Sequence, residues 1–82
     1  MSSLHDGDPF KIGRRYLVRK SFESLRDAFT EGEVVTYQEK VYSWYDGYTG
    51  FIFSDAKKDS RVWDVHDDDS VEIWSTLFQE LT

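Results

Sequence analysis

The sequence predicts a small, mainly β domain (α+β by content). It should be a strongly bent, five-stranded antiparallel sheet or partly closed barrel with one C-terminal amphipathic helix. Three observations carry that prediction. Short segments of alternating apolar and polar residues recur between turn-forming residues, the pattern of half-buried strands. An Asp46-Gly47 pair lies between two of them, and it tolerates the positive φ of a tight hairpin turn. Near the end, Val71, Trp74, Phe78 and Leu81 fall at i, i+3, i+7 and i+10, one stripe of a helix.

Residues 1–9 are polar, hold Gly7 and end in Pro9, the one proline, and they read as a flexible leader to a single domain over 10–82. The first strand is expected over 15–22, with Tyr16 and Val18 on one face and Leu17 and Arg19 on the other. Residues 24–33 lack strict alternation. They fit either one helical turn around Leu25 and Phe29 or a long turn packed by those two residues. A strand over 34–37 follows, then a polar break at Gln38-Glu39-Lys40. Residues 41–45 and 48–53 form the hairpin about Asp46-Gly47, with Phe51 and Phe53 sharing a face. After a second turn over 54–60, a strand over 61–66 sets Val62, Asp64 and His66 opposite Trp63 and Val65. The helix is expected over about 70–81. Asp69 or Ser70 would cap it, and Glu72 lies three residues after Asp69, as in a capping box.

Eighty-two residues leave room for one domain. Hydrophobic residues are 39% of the chain, but six Phe, five Tyr and three Trp are among them. Each aromatic side chain buries ~150–250 Å², so a few can build a core that the aliphatic residues could not. The chain has no cysteine, which removes disulfides, thiolate metal sites and Cys nucleophiles. Its longest apolar runs are Tyr16-Leu17-Val18 and Phe51-Ile52-Phe53, whereas a membrane span needs ~20 apolar residues. No membrane association is expected, and the start has no signal-peptide pattern, so the expected compartment is the cytoplasm. The net charge of −6 is unevenly spread. Residues 62–82 hold Asp64, Asp67, Asp68, Asp69, Glu72 and Glu80 and no Lys or Arg, while Lys11, Arg14, Arg15, Arg19 and Lys20 fall in a stretch with no acid.

The run Phe29-Thr30-Glu31-Gly32-Glu33-Val34-Val35 resembles the diverging turn and following strand of SH3-type barrels. The resemblance implies an unusual backbone angle at Gly32, with Phe29 and Val35 anchoring the turn. A longer pattern joins Tyr16-Leu17-Val18, Phe22, Phe29, Gly32-Glu33, Tyr42, Tyr45-Asp46-Gly47-Tyr48-Thr49, Trp63-Asp64 and a closing helix. It resembles a family of small bacterial domains of unknown function with an SH3-like barrel plan. That resemblance implies a bacterial source and a compact SH3-like architecture, and it carries no activity and no functional residues. Peptide-binding SH3 domains are a poorer match, because Arg15-Tyr16-Leu17-Val18-Arg19-Lys20 stands where they have an acidic-aromatic signature.

Four constellations bear on function. Tyr42, Trp44, Tyr45 and Tyr48 surround the hairpin turn and form either an exposed interface or a second small core beneath the C-terminal helix. Lys11, Arg14, Arg15, Arg19 and Lys20, interleaved with Phe10 and Tyr16, could track a single-stranded nucleic acid. Alternatively, Arg14 and Arg15 flank the first strand, and Arg19 and Lys20 pair with acids on the neighbouring strand or on the helix. His66 with Asp64, Asp67, Asp68 and Asp69 offers cation ligands, but the spacing matches no EF-hand, and the reading preferred is a solvated loop leading into a helix N-terminus. Catalysis has little footing: the chain has two His, no Gly-x-Ser-x-Gly elbow, no phosphate-binding Gly-rich loop and no His-Glu-x-x-His pair.

The expected function is therefore non-enzymatic, with no metal centre and no cofactor. The expectation is a protein-interaction module, acting through the hairpin aromatics and through Asp67, Asp68 and Asp69 on a partner that would be basic. Single-stranded nucleic-acid binding through residues 10–20 is the alternative. Either a monomer or a homodimer is compatible, with residues 10–20 or 61–66 as the candidate edge strand.

Overall fold

The structure is a computed structural model, and it describes residues 10–66 and 73–81. In chain order the elements are β1 (Arg15–Val18), β2 (Phe22–Glu23), β3 (Ala28–Phe29), β4 (Val34–Ser43), β5 (Tyr48–Ser54), β6 (Ser60–His66), α1 (Trp74–Leu77) and β7 (Phe78–Leu81). Five strands form one antiparallel sheet in the order β6-β5-β4-β1-β7, and β2 and β3 make a separate two-stranded pair.

Alternation sorts the residues of this sheet as the sequence implies. Tyr16 and Val18 on β1, Val35 and Tyr37 on β4, Phe51 and Phe53 on β5, and Trp63 and Val65 on β6 all enter one core. The hairpin joining β4 to β5 pairs Ser43 with Tyr48, and the Gly47 N–H donates to the Ser43 carbonyl at 3.0 Å. Gly47 takes φ +68° there, the left-handed conformation that an Asp-Gly turn provides. Gly32 has φ +95°, and Phe29 and Val35 on either side of it are buried, as the diverging-turn resemblance implies.

Three sequence expectations are corrected. The polar break at Gln38-Glu39-Lys40 is no break: β4 runs through it, and the register shifts between Tyr37 and Glu39. An extra residue in one strand bends the sheet without ending it. The first strand is shorter than expected; β1 stops at Val18 and Phe22 begins a new strand. Residues 24–33 form no helical turn. They close the β2–β3 pair, with the Ser24 N–H on the Asp27 carbonyl at 2.7 Å, and they leave Leu25 exposed.

The largest correction is at the C-terminus. The helix expected over 70–81 is a single turn, Trp74–Leu77, and Phe78–Leu81 is a strand. The reason is a backbone demand that no side-chain pattern displays. β1 lies between β4 and β7, and its second edge needs partners, which Phe78, Gln79, Glu80 and Leu81 supply opposite Val18, Leu17, Tyr16 and Arg15. Apolar residues four apart satisfy a helical stripe, but a turn followed by a strand places them equally well. Phe78 points into the core with Val18, and Leu81 lies opposite Arg15 on the other face. The proposed cap residues Asp69 and Ser70, and Glu72, lie outside the described residues.

The five-stranded sheet does not close into a barrel. Among the described residues no ladder joins edge strand β6 to edge strand β7. Their side chains nevertheless meet, with the Trp63 and Phe78 ring centroids 5.5 Å apart. The β2–β3 pair covers this gap: Phe22 and Phe29 stack at 4.9 Å, and both rings contact Phe78. Phe10 fills the centre. Buried at 4% exposure, its ring lies within 6 Å of the rings of Tyr16, Tyr37, Phe51, Phe53, Trp63, Trp74 and Phe78. The sequence reading left this residue among the basic-segment aromatics.

Candidate functional site: the β4–β5 hairpin and its cleft

The hairpin turn is the most unusual surface. Trp44 is 85% exposed and Tyr45 100% exposed, so neither is part of a second core. Among the described residues no helix covers them: α1 is one turn whose buried residue is Leu77 of the main core. Tyr42 is also exposed, and its ring meets Trp44 edge-on at 5.6 Å. Tyr48 is half-buried, with its ring 4.8 Å from the His66 ring across the β5–β6 pair. The tight turn explains this exposure. Residues 44–47 make the reversal itself, beyond the last paired residues Ser43 and Tyr48, so Trp44 and Tyr45 have no neighbouring strand to pack on.

Beneath the turn, on the sheet face away from the core, lies a cleft of about 430 Å³. Val41, Gly50 and Ile52 line its floor, Leu25 and Arg26 one wall, and Tyr48 another. The wall exists because residues 24–27 are strapped to β6. Arg26 Nη2 donates to Asp64 Oδ1 at 2.9 Å, and the Asp64 N–H donates to Ser24 Oγ at 2.7 Å. The Val62 N–H donates to Asp27 Oδ2 at 2.9 Å. These two N–H groups lie on the outer edge of β6, where side-chain oxygens take the place of a sixth strand. Gly50 lets the strap lie flat: a Cβ there would stand 3.4 Å from both Arg26 Nη2 and Asp64 Oδ1, and 3.2 Å from Val62 Cγ1.

A second charge cluster holds the strap from the other side. Arg61 pairs with Glu33 at 2.9 Å and with Asp55 at 3.4 Å, donates to the Ala28 carbonyl, and stacks 5.0 Å over the Phe29 ring. Hydrogen bonds from Arg61 hold the Glu33 carboxyl below the usual range. The Asp55 carboxyl is held low chiefly by the Asp59 N–H, with the Lys57 N–H and Arg61 adding to it.

The basic segment is dispersed by the fold. Tyr16 is completely buried and offers no stacking surface; its hydroxyl accepts the Lys11 N–H at 2.8 Å, and burial pushes its phenol upward. Phe10 is likewise internal. Arg14 pairs with Glu80 on β7 at 3.1 Å, and Arg19 donates to the Ser75 carbonyl at 3.0 Å. Lys11, Arg15 and Lys20 are exposed. The ion pair thus falls on Arg14, a residue expected to flank the strand, whereas Arg19, expected to pair with an acid, meets a backbone carbonyl. β1 is also no edge strand, because it is paired on both sides, whereas β6 over residues 60–66 is one.

The His66 constellation separates similarly. Asp64 is committed to Arg26 and Ser24, and His66 faces Tyr48. Asp67, Asp68 and Asp69 lie outside the described residues. Among the described residues no group of three or more His, Asp or Glu is placed to hold a metal ion. Nor, among them, is any helix long and apolar enough to cross a membrane.

No family model matches the chain, and no curated protein does. Among solved structures, an integron cassette protein from the mobile metagenome of Vibrio cholerae is similar, with a TM-score of 0.72 at 20% identity. The match covers 89% of this chain and 87% of that one. At this identity the likeness is one of fold. It agrees with a small domain of this plan, and it brings no SH3-type barrel with it.

Proposed function

We propose that the protein is a non-enzymatic protein-interaction module whose contact surface is the β4–β5 hairpin. The carrying observation is the full exposure of Trp44 and Tyr45 at a turn that neither residue helps to stabilise. Isolated exposed apolar residues are ordinary, but adjacent Trp44 and Tyr45, with the exposed Tyr42 ring 5.6 Å from that of Trp44, make an aromatic patch. Trp and Tyr dominate the energetics of protein interfaces, since they bury large area at small entropic cost. The net charge of −6 favours a basic partner through steering. Nucleic-acid binding has less support, because Tyr16 and Phe10 are internal and Arg14 is paired.

The test is affinity capture from lysate of the source organism, after nuclease, with the unaltered chain and a Trp44→Ala/Tyr45→Ala variant. The expected result is a basic protein retained by the first and lost by the second, with melting temperature unchanged. Equal retention by both would overturn the hairpin surface. Recovery that vanishes on nuclease treatment would favour the nucleic-acid alternative.

A further inference from the structure

The cleft beneath the hairpin turn is a separate observation from the turn's exposure, and its chemistry is selective. Its floor carries Val41 and Ile52, with Gly50 between them lying under Arg26 and Asp64, whose side-chain atoms stand 3.4 Å from where a Cβ would be. Its one cation is spent: Arg26 is bound to Asp64, whose own side chain is only 4% exposed. Arg26 therefore adds no net positive charge that would recruit an anion. The remaining charge is negative. Asp46 lines the cleft, accepts the Ser43 hydroxyl at 3.3 Å and, among the described residues, forms no ion pair. Glu39 is exposed and lies opposite Ile52 in the β4–β5 register, on the same face.

We infer that this cleft receives an extended basic segment of the protein partner. An aliphatic side chain of that segment packs on Val41 and Ile52 beside the Arg26–Asp64 pair, and a lysine or arginine turns toward Asp46. The inference rests on the reading of the hairpin as a protein-binding surface and names the chemistry of what binds there. The strands of the cleft floor are fixed by pairing, and the wall is fixed by the Arg26–Asp64 and Asp27–Val62 bonds, so the site is formed before binding. An extended segment presents alternate side chains to one side, which suits one apolar and one charged contact along a sheet.

Amide chemical shifts of the full chain, titrated with a capped Lys-Leu-Lys-Leu-Lys peptide and separately with Glu-Leu-Glu-Leu-Glu, test this directly. The lysine peptide is expected to move the amides of Val41, Gly50 and Ile52 saturably, and the glutamate peptide to leave them in place. Asp46→Asn and Val41→Lys should each weaken binding by about fivefold or more, since each removes or opposes the charge complementarity. Val41 is half exposed, so Val41→Lys should melt within a few degrees of the unaltered chain. Equal shifts with both peptides would overturn the charge selection. Shifts confined to Trp44 and Tyr45 would overturn the cleft and leave the hairpin reading standing. Absence of any shift would also overturn the cleft, and the hairpin reading would then be judged by its capture experiment alone.

Discussion

Arg61 shows how one side chain can organise a small domain. Its guanidinium binds carboxylates from two different turns, Glu33 and Asp55, and the Ala28 carbonyl, while lying over Phe29. Replacing it by Met would leave these acids facing one another beside the core, a loss of about 2 kcal/mol for a partly exposed pair. Denaturant melts at pH 7 would read it. The pH dependence has a definite sign. Glu33 and Asp55 have folded-state carboxyls held below their ordinary values, so the stability they contribute is complete above about pH 5. It is lost as pH falls below the unfolded value of about 4 and on through the depressed folded value. Arg61→Met should therefore flatten the stability-versus-pH curve below about pH 5, as thermal melts across pH 2–7 would show. At the opposite extreme, Trp44→Ala and Tyr45→Ala remove rings that touch no core residue. Each should change stability by no more than about 0.5 kcal/mol, which the same melts would measure.

At the scale of elements, the two edges of the sheet differ. β6 is capped by side chains of the β2–β3 turn, with Asp27 and Ser24 oxygens accepting the Val62 and Asp64 N–H groups. Ser24→Ala with Asp27→Ala would leave both donors without these acceptors, costing ~1–3 kcal/mol for each one not re-hydrated. It would also present β6 as a template for another strand. The expected outcome is concentration-dependent self-association, visible by sedimentation velocity. The C-terminal element offers a different test. Gln79 is exposed on β7 opposite Leu17, and valine there suits a strand but is disfavoured in a helix. Gln79→Val should therefore leave the melting temperature unchanged or raise it. A marked fall would mean that the segment is helical after all.

At the scale of the whole molecule, the core is a cage of rings closed around Phe10. The sheet supplies Tyr16, Tyr37, Phe51, Phe53 and Trp63, and the C-terminal segment supplies Trp74 and Phe78. Phe10→Ala should cost ~3–5 kcal/mol, since every wall of the cage loses a contact at once. Small domains hold only ~5–15 kcal/mol in total, so guanidinium melts should show a large fall in midpoint with partial unfolding in water. This closure explains how the edges β6 and β7 meet through Trp63 and Phe78 without a hydrogen-bonded seam. Rings of this size can span a gap that backbone pairing leaves open.

The chain's local chemistry was legible without coordinates wherever a short-range rule governs it. Alternation identified the inward residues of β1, β5 and β6, because adjacent side chains on a strand must point to opposite faces. The turn at Gly47 followed from the positive φ that an Asp-Gly hairpin needs, and the angle at Gly32 from the diverging-turn resemblance. The hairpin aromatics were recognisable as a group, but whether they were core or surface depended on an element far away in sequence. Only the tertiary structure decided that Phe78–Leu81 is a strand, because the unpaired edge of β1 lies some sixty residues away and leaves no mark on the local pattern. It alone decided that Phe10 is internal, and that Arg26 and Asp64 cancel across one face to leave the cleft negative. The physical reason is common to all three. Backbone pairing and charge compensation are settled between residues distant in the chain, whereas periodicity reports only on neighbours.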